Sequence, residues 1–526
     1  LYFVDKSALI EELIPALDME RRYICITRPR RFGKTVIATM IAAFFGKIKE
    51  EDSLFDSLVI SAATGYAQHL HHHEVFFIDL SRIPEKCSTY ESYITRIRDG
   101  MKKDLSDRFS DLQIDCTRSV WDILQFVFEE TKTKFIFVLD EWDAIFHMPF
   151  VSREEHIEYL LFLKNLLKDQ VYVELVYMTG VLPIAKYSSG SELNMFAEYD
   201  MATKEKFGSY FGFLDCEVDK LYAVYQKNTR NQRITRKDLC LWYDGYHIGN
   251  TDVYCPWDVI CYCSDLLAKP SLAPRPYWVN TSGNSIIRRF IGKADRRTRR
   301  DLEELVAGGA VRKTIRQELT YNELDDSIDN LWSVLFLTGY LTVQEETEGR
   351  ELLLTIPNLE IREIFVTQIQ EWFREVSWRD KPGMDAFCLA FRNGDAEAVE
   401  EQFQAYLKKT ISIRDVSTKS RKENFYHGIL LGLLNYDREW IVTSNAEFGD
   451  GYSDILIEIE EEGIGIVIEV KYSNSRRRAE KAEEKSMRDA RLEKGCREAL
   501  AQIEDLGYDA KLRMDGMDTV IKYGIA

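Results

Sequence analysis

Residues 24–40 read "ICITRPRRFGKTVIATM", and this stretch decides the fold class. Residues 23–26 form a short apolar run of the kind a buried parallel strand needs, and Val36, Ile37, Met40, Ile41 and Phe44 then recur at helical spacing. Between them stand Gly33, Lys34 and Thr35, the end of the pattern G-x-x-x-x-G-K-[ST], with Arg28 where its first glycine is expected. In such a strand–loop–helix turn the backbone N–H groups cradle phosphates, the lysine reaches the β and γ oxygens and the threonine hydroxyl holds Mg²⁺. Gly33, Lys34 and Thr35 retain that chemistry, and Arg28, Arg30 and Arg31 add positive charge beside the expected anion. Taken alone, the motif divides about evenly between a phosphate loop and a basic surface turn with a chance G-K-T.

A second stretch, "KFIFVLDEWDAIF", breaks the tie. Its run at 135–139 suits a strand buried on both faces and ends abruptly in Asp140-Glu141. That is a Walker B pattern: the aspartate holds Mg²⁺ and the glutamate orients or deprotonates the attacking water. A third apolar run, "VYVELVYMTG", ends near Thr179, a polar side chain able to sense the γ-phosphate. Three strand ends carrying GKT, DE and T in that order rarely coincide by accident, so the nucleotide site is favoured over a core that merely ends in solvated acids.

At 526 residues the chain is too long for one core, and its 45% hydrophobic and 30% charged content is that of a globular protein. The strongest apolar run, "GILLGLL", is far too short to span a membrane, and the start, "LYFVDKSALIEEL", lacks the features of a signal peptide. The first residue is Leu rather than Met and the last strand, "TVIKYGIA", stops abruptly, so a longer native chain is expected at both ends. Ten scattered cysteines without a C-x-x-C pair read as reduced core residues of a cytoplasmic protein. His69, His71, His72 and His73 cluster before the run "EVFFIDL"; consecutive residues point in different directions, which favours an exposed loop over a metal site. A net charge of −18 argues against a general nucleic-acid coat and leaves room for a local basic groove.

The alternation of elements predicts an α/β multidomain chain: a P-loop domain over 1–200, a helical lid or linker region over 201–310, a winged-helix-like region over 311–376 and a last α/β domain over 377–526. The winged-helix reading rests on a helix at "DNLWSVLFLTG", a hairpin at "YLTVQEETEGRELLLTI" and a further helix; Pro382-Gly383 marks a boundary.

The last domain carries a second chemical signal, "GYSDILIEIEEEGIGIVIEVKYS". Residues two apart in a strand share a face, so Glu469 and Lys471 point together while Val470 packs the other way. If Ile459 pairs with Ile464, or Glu460 with Gly463, Asp454 falls opposite Glu469; an odd loop would need a bulge. Two converging carboxylates with the Val470 carbonyl can hold Mg²⁺, and the lysine can position a water or stabilise a pentavalent phosphate. This is the D…E-x-K core of PD-(D/E)XK nucleases; the competing reading is an amphipathic hairpin with an ordinary ion pair. Glu423 and His427 at i, i+4 and Gln502 are further polar groups able to approach, and residues 471–500 hold ten Lys or Arg against six Asp or Glu, which suits a phosphate backbone or a solvated helix.

Taken together, "YFVDKS", "RPRRFGKT", "FVLDEWD", "WYDGY", "TSGN", "LFLTGYL", "IPNLEIREIF", "YHGILLGLL", "GYSDILI" and "IEVKYS" resemble, in this order, bacterial proteins that join an AAA-ATPase-like P-loop domain to a PD-(D/E)XK nuclease-like domain. That family also uses R-P-R-R-F-G-K-[ST], so Arg28 is a family variation. The resemblance implies ATP with Mg²⁺, or Mn²⁺ in its place, held by Arg30, Arg31, Gly33, Lys34, Thr35, Asp140 and Thr179, with Glu141 activating water. It implies Asp454, Glu469 and Lys471 as the nuclease core, with Asp454 and Glu469 as metal ligands and Glu423 as the first-helix acid. No arginine finger is identifiable. The expectation is a cytoplasmic ATP-binding and ATP-hydrolysing protein whose nucleotide state controls a nuclease acting on nucleic acid, with no membrane partner and compatible with a homo-oligomer. The alternative is a nucleotide-dependent switch or scaffold that binds nucleic acid or protein without cutting.

Overall fold

The computed structural model describes residues 3–48, 52–85, 87–184, 193–201, 206–228, 235–269, 272–278, 285–306, 308–316, 327–346, 351–410, 419–448, 451–471, 485–507 and 509–526. For some of these, including Glu423 and Asp454, the side chain lies outside the description. The chain forms two compact units: residues Leu1–Tyr277 with Thr314–Leu352, and residues Trp278–Lys313 with Leu353–Ala526.

The first unit opens with α1 (Ala8–Leu13), β1 (Tyr23–Thr27), α2 (Lys34–Phe45), the one-turn α3 (Tyr66–His69) and β2 (Glu74–Asp79). Helices α4 (Tyr90–Arg108) and α5 (Val120–Thr131), strand β3 (Phe135–Asp140), α6 (Arg153–Leu167), β4 (Val173–Gly180) and β5 (Ala197–Tyr199) follow. The five strands form one parallel sheet in the order β2-β3-β4-β1-β5. Both faces are covered, which is why β1 and β3 read as unbroken apolar runs. Phe135, Phe137 and Leu139 join Tyr23 and Cys25 under α4, α5 and α6. Ile136 and Val138 face the other way, with Ile24 and Ile26, beneath Ile37, Ala38, Ile41 and Phe44 of α2.

The histidine cluster is an exposed loop only in part: His72 is exposed, whereas His69, His71 and His73 are half-buried. His69 Nδ1 lies 3.0 Å from His73 Nε2, and His73 Nδ1 lies 2.9 Å from Glu174 Oε2, with His73 also packed edge-on to Phe45. Among the described residues no group of three or more His, Cys, Asp or Glu is placed to hold a metal.

The middle of the chain runs through α7 (Asp215–Asn228), α8 (Arg236–Tyr243), the short antiparallel pair β6 (Tyr246–Ile248) and β7 (Thr251–Val253), α9 (Pro256–Ala268), α10 (Ser285–Lys293), α11 (Arg296–Val306) and β8 (Ala310–Thr314). Next come α12 (Ile328–Leu337), β9 (Thr342–Glu346), β10 (Glu351–Thr355) and α13 (Leu359–Trp378), the helix–strand–strand–helix order read from the sequence. Most aromatics of 242–262 are buried core, as at Tyr243, Tyr246, Tyr254 and Tyr262. The "TSGN" segment lies outside the described residues.

Helices α14 (Lys381–Asn393), α15 (Ala396–Thr410) and α16 (Lys419–Leu434) lead into β11 (Ile441–Phe448), β12 (Gly451–Ile459), β13 (Ile464–Val470), α17 (Lys485–Leu506), α18 (Asp509–Met514) and β14 (Thr519–Ile525). Pro382 and Gly383 sit in the first turn of α14, where a missing N–H costs nothing. The sheet order is β11-β12-β13-β14, antiparallel up to β13, with β14 parallel to β13. "GILLGLL" is the buried part of α16, with Ile429, Leu430, Leu433 and Leu434 inaccessible. Helix α17 packs closely on β14 because residue 524 is glycine: a Cβ there would fall 2.3 Å from the Cys496 carbonyl oxygen.

Candidate functional site

Strand order builds the first site. Because β4 lies between β1 and β3, Thr179 pairs with Ile26 on one side, and Met178 pairs with Leu139 on the other, one residue short of Asp140. The ends of three strands distant in sequence thus meet at one sheet edge. Thr179 Oγ1 donates to the buried Asp140 Oδ1 and accepts from the Glu141 N–H at 3.3 Å, while the Trp142 N–H donates to the Thr179 carbonyl at 2.9 Å.

Lys34 opens α2 directly after Gly33, whose φ of 84° is left-handed and therefore suited to glycine. Its side chain is only 3% exposed. Nζ donates to the carbonyl oxygens of Arg28 and Pro29, both at 3.1 Å, and lies 3.5 Å from Glu141 Oε1. An ammonium held by two neutral carbonyls can exchange them for phosphate oxygens at little cost, and the Thr35 hydroxyl and Asp140 carboxylate are the hard oxygen donors Mg²⁺ takes. The residues present therefore fit a nucleotide with Mg²⁺.

Glu141 has φ 53°, a left-handed conformation that costs a non-glycine residue about 1–3 kcal/mol and tends to occur at functional sites. Burial pushes its carboxyl above the usual glutamate range, opposed chiefly by the Lys34 charge and less by Arg30. A raised carboxyl holds a proton more readily than an ordinary glutamate, the property a general base would need. If Glu141 serves as a base, its protonation removes that function, so hydrolysis at this site should fall as pH drops through a value higher than that of an ordinary glutamate.

Thr179→Val keeps the shape and removes the hydroxyl that bonds the Asp140 carboxylate and the Glu141 backbone N–H. If the site hydrolyses ATP, the rate is expected to fall about 10–100-fold, the usual effect of losing a group that orients a metal ligand. The buried Asp140 would lose a donor, lowering stability by about 1–3 kcal/mol. Steady-state turnover and urea unfolding measure the two effects separately.

The arginines divide. Arg30 is exposed and its charge acts on Glu141. Arg31 has φ 73°, donates from Nη1 to the Tyr277 carbonyl at 3.0 Å, and sits over the Trp257 ring at 5.1 Å. Arg28, at the position of the first glycine, is fully buried; it donates to the carbonyls of Thr27 at 2.8 Å and Tyr199 at 2.7 Å and lies over Phe211. Burial lowers its pKa to about 10, against the opposing pull of Asp200, so it stays charged at neutral pH. Arg28 is a strut tying the start of the loop to β5. Asp143 was not singled out from the sequence, although "DEWD" contains it: this buried carboxylate accepts from the N–H groups of Val181 at 2.9 Å and Leu182 at 3.0 Å, holding the chain as it leaves β4.

The second site depends on register. Ile459 pairs with Ile464 and Ile455 with Ile468, so the same register carried one residue further sets Asp454 opposite Glu469. Glu469 is 2% exposed, and Lys471 Nζ donates to its Oε1 at 2.8 Å. The Lys471 N–H donates to the Ile525 carbonyl at 2.7 Å, which anchors the strand end to β14. A buried carboxylate, an aspartate at the facing register position and the Val470 carbonyl supply oxygen donors of the type Mg²⁺ prefers. Of the basic stretch of residues 471–500, residues 472–484 lie outside the described residues, and residues 485–500 form most of α17.

A family model described as "Predicted AAA-ATPase" matches residues 1–189, and one for the PD-(D/E)XK nuclease superfamily matches residues 421–526. The first range contains Lys34, Asp140, Glu141 and Thr179, and the second contains Asp454, Glu469 and Lys471. The chain joins an AAA-ATPase-like domain to a PD-(D/E)XK nuclease-like domain. An uncharacterized protein in the vnfD 5' region of Azotobacter chroococcum mcd 1 is 23% identical over 375 residues, 69% of this chain and 65% of that protein. The chain thus spans somewhat under two thirds of that relative's length. Among solved structures, the AAA-ATPase-like chain is similar to a Walker-type ATPase of Pyrococcus abyssi, at 12% identity and TM-score 0.36, covering 68% of this chain and 94% of that one. It is also similar to the ORC2 protein of Aeropyrum pernix, at 11% identity and TM-score 0.28, covering 70% and 93%. Likenesses this weak add nothing to the reading of either site.

Proposed function

We propose that the AAA-ATPase-like domain binds and hydrolyses ATP and that its nucleotide state controls a Mg²⁺-dependent nuclease in the carboxyl-terminal domain, which cleaves phosphodiester bonds in nucleic acid. The observation that supports this most directly is the meeting of Lys34, Glu141, Asp140 and Thr179 at one sheet edge. In this reading Lys34 binds the terminal phosphates, Asp140 and Thr35 hold Mg²⁺, Thr179 orients the Asp140 carboxylate and fixes the backbone at Glu141, and Glu141 takes the proton of the attacking water. At the second site Asp454 and Glu469 hold the metal and Lys471 stabilises charge on the phosphate. Bound Mg²⁺ supplies Lewis-acid chemistry at both. The proposal includes a cytoplasmic setting, in line with the cysteine usage.

Two experiments test it. Glu141→Gln keeps shape and hydrogen bonding but removes the base, so the variant should bind ATP as wild type does and turn it over at least about 100-fold more slowly; wild-type turnover would move the base elsewhere. Purified protein should also be incubated with DNA and with RNA, with Mg²⁺ or Mn²⁺, with and without ATP. Cleavage that responds to ATP supports the reading, and no cleavage under any condition overturns its nuclease half.

A further inference from the structure

The phosphate loop is stitched to the segment that follows the first unit's sheet. The Phe32 ring packs edge-on to Tyr246 at 5.0 Å, the Cys255 thiol lies 3.9 Å from the Arg31 carbonyl oxygen, and the Arg31 guanidinium covers Trp257. The same guanidinium donates to the carbonyl of Tyr277 at 3.0 Å. Tyr277 is the last residue of the first unit's longer segment, and Trp278 is the first residue of the second unit. The Trp278 N–H donates at 2.8 Å to Oε1 of Glu360, a fully buried carboxylate in the first turn of α13.

Tyr277 C=O and Trp278 N–H belong to one peptide group. Each bond lies inside its own unit, and the covalent amide joins them. An amide whose oxygen accepts from a cation and whose N–H donates to an anion is polarised in one sense by both, so each bond strengthens the other and the loss of one weakens both. Helix α13 in turn packs on α16, and α16 packs on β11, β12 and β13, the sheet that carries Glu469.

We propose that the Tyr277–Trp278 peptide group is the link through which nucleotide at the phosphate loop acts on α13 and the nuclease-like domain. This rests on the ATP-binding reading. Arg31 is the transmitting residue: its backbone belongs to the loop that closes on phosphate, and its planar, forked side chain grips the peptide while stacked on Trp257, which lysine cannot reproduce. Closure of the loop tightens that grip and, through the amide, the hold of Glu360 on the start of α13. Such coupling is reciprocal and typically amounts to about 5-fold or more in affinity.

Hydrogen–deuterium exchange of the full chain, with and without saturating adenylyl imidodiphosphate, tests the link. In wild type both the loop, residues 28–36, and α13 should gain protection. Glu360→Ala should keep the loop response and lose that of α13 by about fivefold or more, while Glu360→Gln, which keeps an acceptor oxygen, should restore most of it. Arg31→Lys provides a second break in the link and should also lose the α13 response at saturating analogue. Loop protection in wild type with no change in α13, or a full α13 response in Glu360→Ala or Arg31→Lys, overturns the link and leaves the ATP reading standing. No protection of the loop in wild type overturns the ATP reading and the link with it.

Discussion

Lys34→Ala is expected to abolish ATP binding or reduce turnover by about 10²–10³-fold or more, the usual loss when a fixed charge aimed at a reacting phosphate is removed. The lysine is 3% exposed, and two loop carbonyls and the Glu141 carboxylate surround its ammonium at the mouth of the loop, so the charge is confined to this corner of the site. A charge confined in a site largely shielded from water acts more strongly on a phosphate than one in solution. Removing it has a second effect: Glu141 loses the cation that most opposes its burial, and its carboxyl rises further toward the neutral form. Residual turnover in the variant should therefore have its acid limb at higher pH than in wild type. Nucleotide titration, steady-state hydrolysis and a thermal melt on the same preparation separate binding from folding. Unchanged affinity and turnover would remove Lys34 from the site.

The largest effects at the second site are expected from Asp454→Ala and Lys471→Ala, each of which should reduce nucleic-acid cleavage by about 10²–10³-fold, while ATP hydrolysis persists at least in part. Their causes differ and can be told apart. Asp454→Ala removes a metal ligand, so divalent-metal binding at this site should weaken. Lys471→Ala leaves the ligands in place, so metal binding should survive. It also strips the ammonium from a carboxylate that is 2% exposed. Breaking one side of such a pair is destabilising, although Lys471 is itself about one fifth exposed, which moderates the cost. Isothermal titration with Mn²⁺, a cleavage assay and urea unfolding read the three quantities. Asp454→Ala cutting as well as wild type would leave the hairpin as a structural ion pair and favour a domain that binds without cutting.

The residues of both candidate sites could be picked out in one dimension because their signals are local. An apolar run that ends in acids states where a buried strand stops, and the Gly33-Lys34-Thr35 turn states where a helix begins. The E-x-K spacing places Glu469 and Lys471 on one face whatever the rest of the chain does, and the structure bonds them directly. Register was less certain from sequence because it turns on one residue of loop length, and the pairing of Ile459 with Ile464 decided it.

The sequence by itself determined which residues end strands and which faces are apolar, since these follow from periods of two and 3.6 residues over a few turns. Tertiary structure alone decided how those ends meet. Thr179 reaches Asp140 across 39 positions because β4 inserts between β1 and β3, an order no local pattern encodes. The two loop arginines show the same limit: Arg28 is spent on Tyr199, 171 positions away, and Arg31 on Tyr277, 246 positions away. A cationic side chain bonds to whichever acceptor packing leaves within reach. Which carbonyl is left there is settled only when the whole chain has closed around it.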